Sequence, residues 1–88
     1  MLLTFLFTKV SSYSQDAVLW DASWSTDGKY IAVGGNNRIL RIYDGESFDL
    51  ISRDTLADDI YRLRWHPMEN ILAIIGELPI VQLLNMVL

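Results

Sequence analysis

The chain has 88 residues, a formal net charge of −4, no cysteine and 51% hydrophobic residues. This length holds one domain or less, and the acidic balance leaves no electrostatic footprint for nucleic acid or an acidic membrane. Without cysteine there are neither disulfides nor thiolate metal sites, and the compartment stays open with a cytoplasmic setting preferred.

In chain order, the opening Met1 to Phe7 is apolar. It lacks a basic leading segment and a small-residue cleavage site, so an outer strand from Leu2 to Val10 is the better reading than a signal peptide. From Val18 to Trp24 the apolar residues alternate, with Val18, Trp20, Ala22 and Trp24 expected inward and Asp21 and Ser23 outward. Alternation of this kind is the pattern of a half-buried strand. Ser25 to Lys29 is a turn in which Gly28 takes a positive φ cheaply. Tyr30 to Gly35 is nearly all apolar, as expected of a strand covered on both faces. Asn36-Asn37 fits a tight hairpin because Asn tolerates the left-handed conformation. Ile39 to Tyr43 follows as a strand with one polar break at Arg41, and Ser47 to Ser52 as a fourth strand.

The next elements repeat the first. Trp24 and Trp65 are 41 residues apart, and at the same spacing Ala32 meets Ala73, Gly35 meets Gly76 and Ile39 meets Ile80. Tyr61, Leu63 and Trp65 are expected inward, with Arg62 and Arg64 outward. His66 to Asn70 is the matching turn, where Pro67 fixes φ and ends the strand. Ile71 to Gly76 and Ile80 to Leu84 are then the matching strands, with Gln82 as the polar break. Shifting Ser47–Ser52 back by one period gives Leu6 to Ser11, inside the apolar opening. The expected repeats run from about residue 6 to 44 and from about 47 to 85. A period in the forties built from short strands is the mark of propeller blades.

The run Trp24-Ser25-Thr26-Asp27-Gly28-Lys29-Tyr30-Ile31-Ala32-Val33-Gly34-Gly35, continued by Arg41-Ile42-Tyr43-Asp44, resembles the WD-repeat family. Tyr43-Asp44 stands at the closing Trp-Asp position, and Leu84-Asn85 is its degenerate copy. The resemblance covers about Asp16 to Asn85 and implies an all-β chain of two four-stranded antiparallel blades, a partial β-propeller. The chain departs from that family at several places. Neither Asp16-Ala17 nor Ala57-Asp58 supplies the usual Gly-His, and Val33 and Ile74 replace the usual Ser or Thr. The family's His-Ser-Asp-Trp hydrogen-bond network is therefore absent, and apolar packing is expected to carry stability. Glu46 stands where an Arg would be linked to ubiquitin-ligase adaptors.

No catalytic constellation emerges. His66 stands alone, in a turn, without the partners a base or a metal site needs. Asp58-Asp59 lacks the spaced oxygen ligands of a calcium loop and reads as a turn-forming pair. Gly34-Gly35 is followed by neither Lys-Ser/Thr nor a helix, so it is no phosphate cradle. Trp20, Trp24 and Trp65 are expected to be core residues before they are an aromatic cage. The span Asn70 to Leu88 has the hydropathy of a membrane crossing, but Glu77, Pro79 and Asn85 interrupt it and it superposes on the first repeat.

These residues point to a protein–protein interaction scaffold with no cofactor, no metal and no enzymatic activity, part of a longer propeller. On the family pattern, one rim would carry the loops at 12–16, 36–38, 53–59 and 77–79. Tyr13, Asn37, Arg53 and Asp58 are the candidate partner contacts there, with Arg62 and Arg64 as candidates for an acidic partner. The alternative is a self-assembling pair of blades, Leu2–Val10 of one copy pairing with the last strand of another to close a ring. A small membrane protein and part of a propeller hydrolase are weaker alternatives.

Overall fold

The computed structural model describes residues 19–86, and all regular secondary structure in that span is β. The expected outer strand at Leu6–Ser11 and the loop bearing Tyr13 lie outside these residues. Four strands form a first antiparallel sheet in chain order: β1 (Leu19–Trp24), β2 (Tyr30–Gly35), β3 (Ile39–Asp44) and β4 (Leu50–Thr55). Three more form a second: β5 (Arg62–Trp65), β6 (Ile71–Ile75) and β7 (Val81–Asn85).

The 41-residue spacing recurs in the pairing register. Ala22 lies opposite Val33 and Trp24 opposite Ile31, while Leu63 lies opposite Ile74 and Trp65 opposite Leu72. Ile31 faces Tyr43, as Leu72 faces Leu84. The turn bonds repeat too: Ser25 N donates to Tyr30 O as His66 N does to Ile71 O, and Gly45 N to Lys29 O as Met86 N does to Asn70 O. The two stretches therefore fold as one structural unit used twice.

The start of the fourth strand and the conformation of the hairpin after β2 differ from the sequence reading. The fourth strand begins at Leu50, not Ser47, because Asp44 Oδ1 accepts the N–H groups of Glu46 and Ser47 and holds 45–48 in a turn. Phe48 takes φ 63° there, which puts its ring into the core instead of a ladder. In the hairpin after β2, Arg38 and neither Asn adopts the left-handed conformation, at φ 63°. Asn37 serves differently: its Oδ1 accepts the N–H of Ile39.

The sheets pack face to face, with closest approach between β1 and β5 and then between β2 and β5. Tyr30, Ala32, Leu40 and Ile42 of the first sheet meet Ile60, Leu63, Leu72 and Ile74 in one buried cluster. Full burial of one such side chain is worth about 1.5–3 kcal/mol, so this cluster is the main bond between the sheets. A second cluster, Ile31, Val33, Tyr43 and Phe48, lies on the first sheet's far face. All of β2 is therefore buried, as its apolar run implies, whereas Ile71, Ala73 and Ile75 of β6 are only half-buried.

From Asp21 to Trp24 the expected facing of β1 is reversed, while a bulge between Leu19 and Asp21 leaves Leu19 on the far-face cluster. Leu19, Asp21 and Ser23 are half-buried, while Trp20 and Trp24 remain 43% and 38% exposed. The cause is polar and local to the joint between the sheets. Asp21 Oδ2 accepts the backbone N–H of Leu63 and a guanidinium hydrogen of Arg64, and Ser23 O accepts the indole N–H of Trp65. Those bonds turn the polar side of β1 toward the second sheet.

Candidate interaction surface

One end of the two sheets gathers the β2–β3 turn, the link from β4 to β5 and the β6–β7 turn. Hydrogen bonds tie these segments into one layer. Leu56 N donates to Arg38 O at 2.7 Å, and Ile60 N to Gly35 O at 3.0 Å. Asp58 Oδ2 accepts Leu78 N at 2.7 Å, and Asp58 Oδ1 accepts Asp59 N. Loop backbone anchored in this way holds its exposed side chains in a fixed array, which is what a binding surface requires. The β6–β7 turn is held tightly against the link: a Cβ on Gly76 would collide with the Asp59 carbonyl oxygen and the Asp58 carboxylate.

This end is acidic around an aromatic pair. The Trp20 and Tyr61 rings lie 4.9 Å apart. Partial desolvation pushes the Tyr61 hydroxyl pKa upward, and the Glu77, Asp59 and Asp58 carboxylates add to the shift.

The expected site residues separate into three places. Asn37 and Asp58 share this end, and Asp58 acts there as a staple between loops. Arg53 lies within β4 rather than in a loop, opposite Arg41, on the face turned away from the second sheet. Arg62 and Arg64 lie on the second sheet's outward side, and Arg64 is held by Asp21 at 3.0 Å. Tyr13 is outside the described residues. The three tryptophans do not converge on a cage: Trp20 lies against Tyr61, Trp24 against Phe48 and Trp65 against Tyr30.

At the opposite end, the turns are built from side-chain acceptors. Asp27 accepts Lys29 N, the Ser25 hydroxyl and an amide hydrogen of Asn70, and the Thr26 hydroxyl donates to His66 O. His66 Nδ1 accepts the N–H groups of Met68 and Glu69, so the one histidine organises its own turn. Among the described residues no three His, Cys, Asp or Glu side chains gather to hold a metal ion. No helix among them is long and apolar enough to cross a membrane, and most of the apolar span beyond Asn70 is the pair β6 and β7.

No protein-family model matches the chain, and no solved structure matches it. The sequence and the geometry are the grounds on which a function can be argued.

Asp21 was legible in sequence only as an outward polar residue. Its role as the clamp on β5 had one faint signal, a carboxylate in a strand whose 41-residue counterpart carries Arg62 and Arg64.

The aspartates of the turns give a pH prediction. Backbone N–H donors, Lys29 for Asp27 and Ser47 for Asp44, hold both carboxyls below their ordinary value. A depressed folded pKa contributes stability that is present above about pH 4 and lost as pH falls through the lowered folded values. Thermal melts followed by circular dichroism are expected to hold level near neutrality and to fall on acidification below about pH 4. The pair D27N and D44N should lower the melting temperature at pH 7 and flatten that acid limb. An unchanged limb in the double variant would show that these caps do not anchor the turns.

Proposed function

We propose that the chain is a two-blade segment of a WD-repeat β-propeller and serves as a scaffold for a protein partner, a binding role without catalysis. The observation that carries the reading is the recurrence of one strand–turn–strand unit at 41 residues with the same register in both sheets. Successive similar sheets packed face to face are how repeat folds build a continuous core. The WD-like turn supports the same reading: Gly28 takes φ 76° beside the Ser25–Asp27 bond, and Asp44 closes its strand by capping the next turn.

The partner surface is the end where 36–38, 56–61 and 76–80 are tied together. Asn37, Asp59 and Glu77 are its polar contacts, with Leu78 as an exposed apolar anchor. Fold alone does not name a partner, so the test must locate the contact physically. A photo-crosslinking residue placed at Asn37 or Glu77 in cells is expected to give a discrete adduct with a different protein. The same residue at Glu46 or Met68, on the opposite end, should give none. Adducts from Glu46 or Met68 alone would overturn the assignment of the surface, and none from any position would overturn the scaffold reading.

A further inference from the structure

The two sheets differ by one strand. β3 lies between β2 and β4, whereas β7, its counterpart 41 residues on, pairs with β6 alone among the described residues. The register shows which backbone groups this leaves over. Met86 N donates to Asn70 O, so in the alternation of an antiparallel ladder Leu84 bonds Leu72 and Gln82 bonds Ile74. The N–H and C=O groups of Val81 and Leu83 therefore point away from β6. Their counterparts in the first sheet, Leu40 and Ile42, face Asp54 and Ser52 of β4.

This edge lacks the guards of the others. Edge strands are ordinarily blunted by charge, proline or a bulge. β1 has Asp21 and a bulge, β4 has Arg53 and Asp54 beside a bulge, and β5 has Arg62 and Arg64. β7 has no charged residue and no proline, and its register runs without a break. Beside it a groove of ≈ 540 Å³ opens toward the first sheet, with Leu40, Asp54 and Leu56 on one wall and Gln82 and Leu84 on the other. That volume suits the side chains of one extended segment. Twofold pairing of β7 with β7 of a second copy fits less well. Its axis would be normal to the sheet, so the other copy's first sheet would arrive on the same side and meet β4.

We propose that β7 accepts an extended segment of a partner protein as a fourth, antiparallel strand. The main chain of Val81 and Leu83 holds the segment, and alternate side chains select it. Opposite Val81 and Leu83, apolar residues prolong the outward face on which those two side chains stand 59% and 71% exposed. Opposite Leu84, an apolar residue closes over Leu84 and Leu40. Opposite Gln82 the segment carries Lys or Arg, because every charged side chain lining the groove and its continuation to the loop end is a carboxylate: Asp54, Asp58 and Asp59. Asp54 has no cationic partner among the described residues. This inference needs only the β7 edge and does not rest on the loop-end surface.

The probe is the end-blocked peptide Thr-Leu-Val-Arg-Val-Thr, whose Leu, Val, Arg and Val fall opposite Leu84, Leu83, Gln82 and Val81. It is titrated to about 1 mM into the 88-residue chain and read by hydrogen exchange in NMR spectra. The Val81 and Leu83 amides are expected to exchange fast in the chain alone and to slow about tenfold or more with peptide. Gln82 and Leu84, bonded to β6, stay slow throughout. The same peptide N-methylated at both valines keeps its side chains and should not bind. L83P removes one outward N–H and leaves the β6 ladder intact, as an edge strand tolerates, and should abolish the slowing at Val81. D54K should weaken binding at least about 2–5-fold, and a peptide with Glu in place of Arg should recover it. No slowing with the peptide, or equal binding of its methylated form, would overturn the inference. So would a dimer by light scattering that L83P converts to monomer, because the edge would then belong to a second copy. Neither variant alters Asn37 or Glu77, so adducts from those positions report on the loop end separately.

Discussion

Leu63→Ala is expected to lower the unfolding free energy by about 2–5 kcal/mol, the range for emptying a large aliphatic site in a packed core. Leu63 is fully buried, and it is the residue of β5 that enters the cluster joining the sheets. Its loss opens the cluster to both sides at once, since Leu72 and Ile74 enter it from the second sheet and Ala32 and Ile42 from the first. A domain of this size holds about 5–15 kcal/mol in all, so the change is a large share of it. Leu83→Ala is the control: the same atoms are deleted from a side chain 71% exposed, and the expected change is within about 0.5 kcal/mol. Urea denaturation at a concentration low enough to keep the chain monomeric reads both. Equal midpoints for the two variants would mean that the sheets do not bury this cluster together.

Strand existence, order and period were legible because they depend on local signals. Alternating apolar residues, Gly28, Pro67 and the recurrence of Trp24 at Trp65 each carry their own physical cause, and the observed register keeps the same spacing. The facing of β1 was not legible. Alternation separates two faces of a strand but does not say which one meets the next sheet, and here the answer comes from Asp21 accepting a backbone N–H 42 positions away. Size misled in the same way: two tryptophans looked like core, yet Ser23 and Asp21 hold the joint, Trp24 lies on the open side and the Trp20 ring sits at the edge against Tyr61.

The candidate site shows the same division. Asn37 and Asp58 could be placed at one end from strand order alone. Arg53 could not, because Asp44 capping Glu46 and Ser47 delays β4 until Leu50 and draws Arg53 into the ladder. A side chain acting on backbone a few residues on is a local event, but its consequence, the register of the next strand, appears only after pairing with β3. Reading Asp44 as a family closing position located the residue without revealing that it sets where the following strand starts.

Gly45→Ala is expected to cost about 3 kcal/mol, near the upper end for overpacking, because what the new Cβ meets is backbone. Gly45 N donates to Lys29 O at 2.7 Å, and a Cβ there would run into the Gly28 carbonyl oxygen. The matching position in the second repeat is Met86, which makes the same bond to Asn70 O and keeps its side chain. The difference lies in the partner turn. Gly28 has φ 76°, which aims its carbonyl at Gly45, whereas Glu69 at the matching place has no positive φ and its carbonyl accepts Ile71 N. Gly28→Glu alone should cost about 1–2 kcal/mol, since a side chain disfavours the left-handed conformation. Relaxing that φ also swings the carbonyl away, so G28E with G45A is expected to be less destabilised than the two single costs together. Denaturation of the four proteins in this cycle decides it. Simple addition would show that the Gly28 carbonyl does not govern the space at position 45, and that the glycine there answers to another constraint.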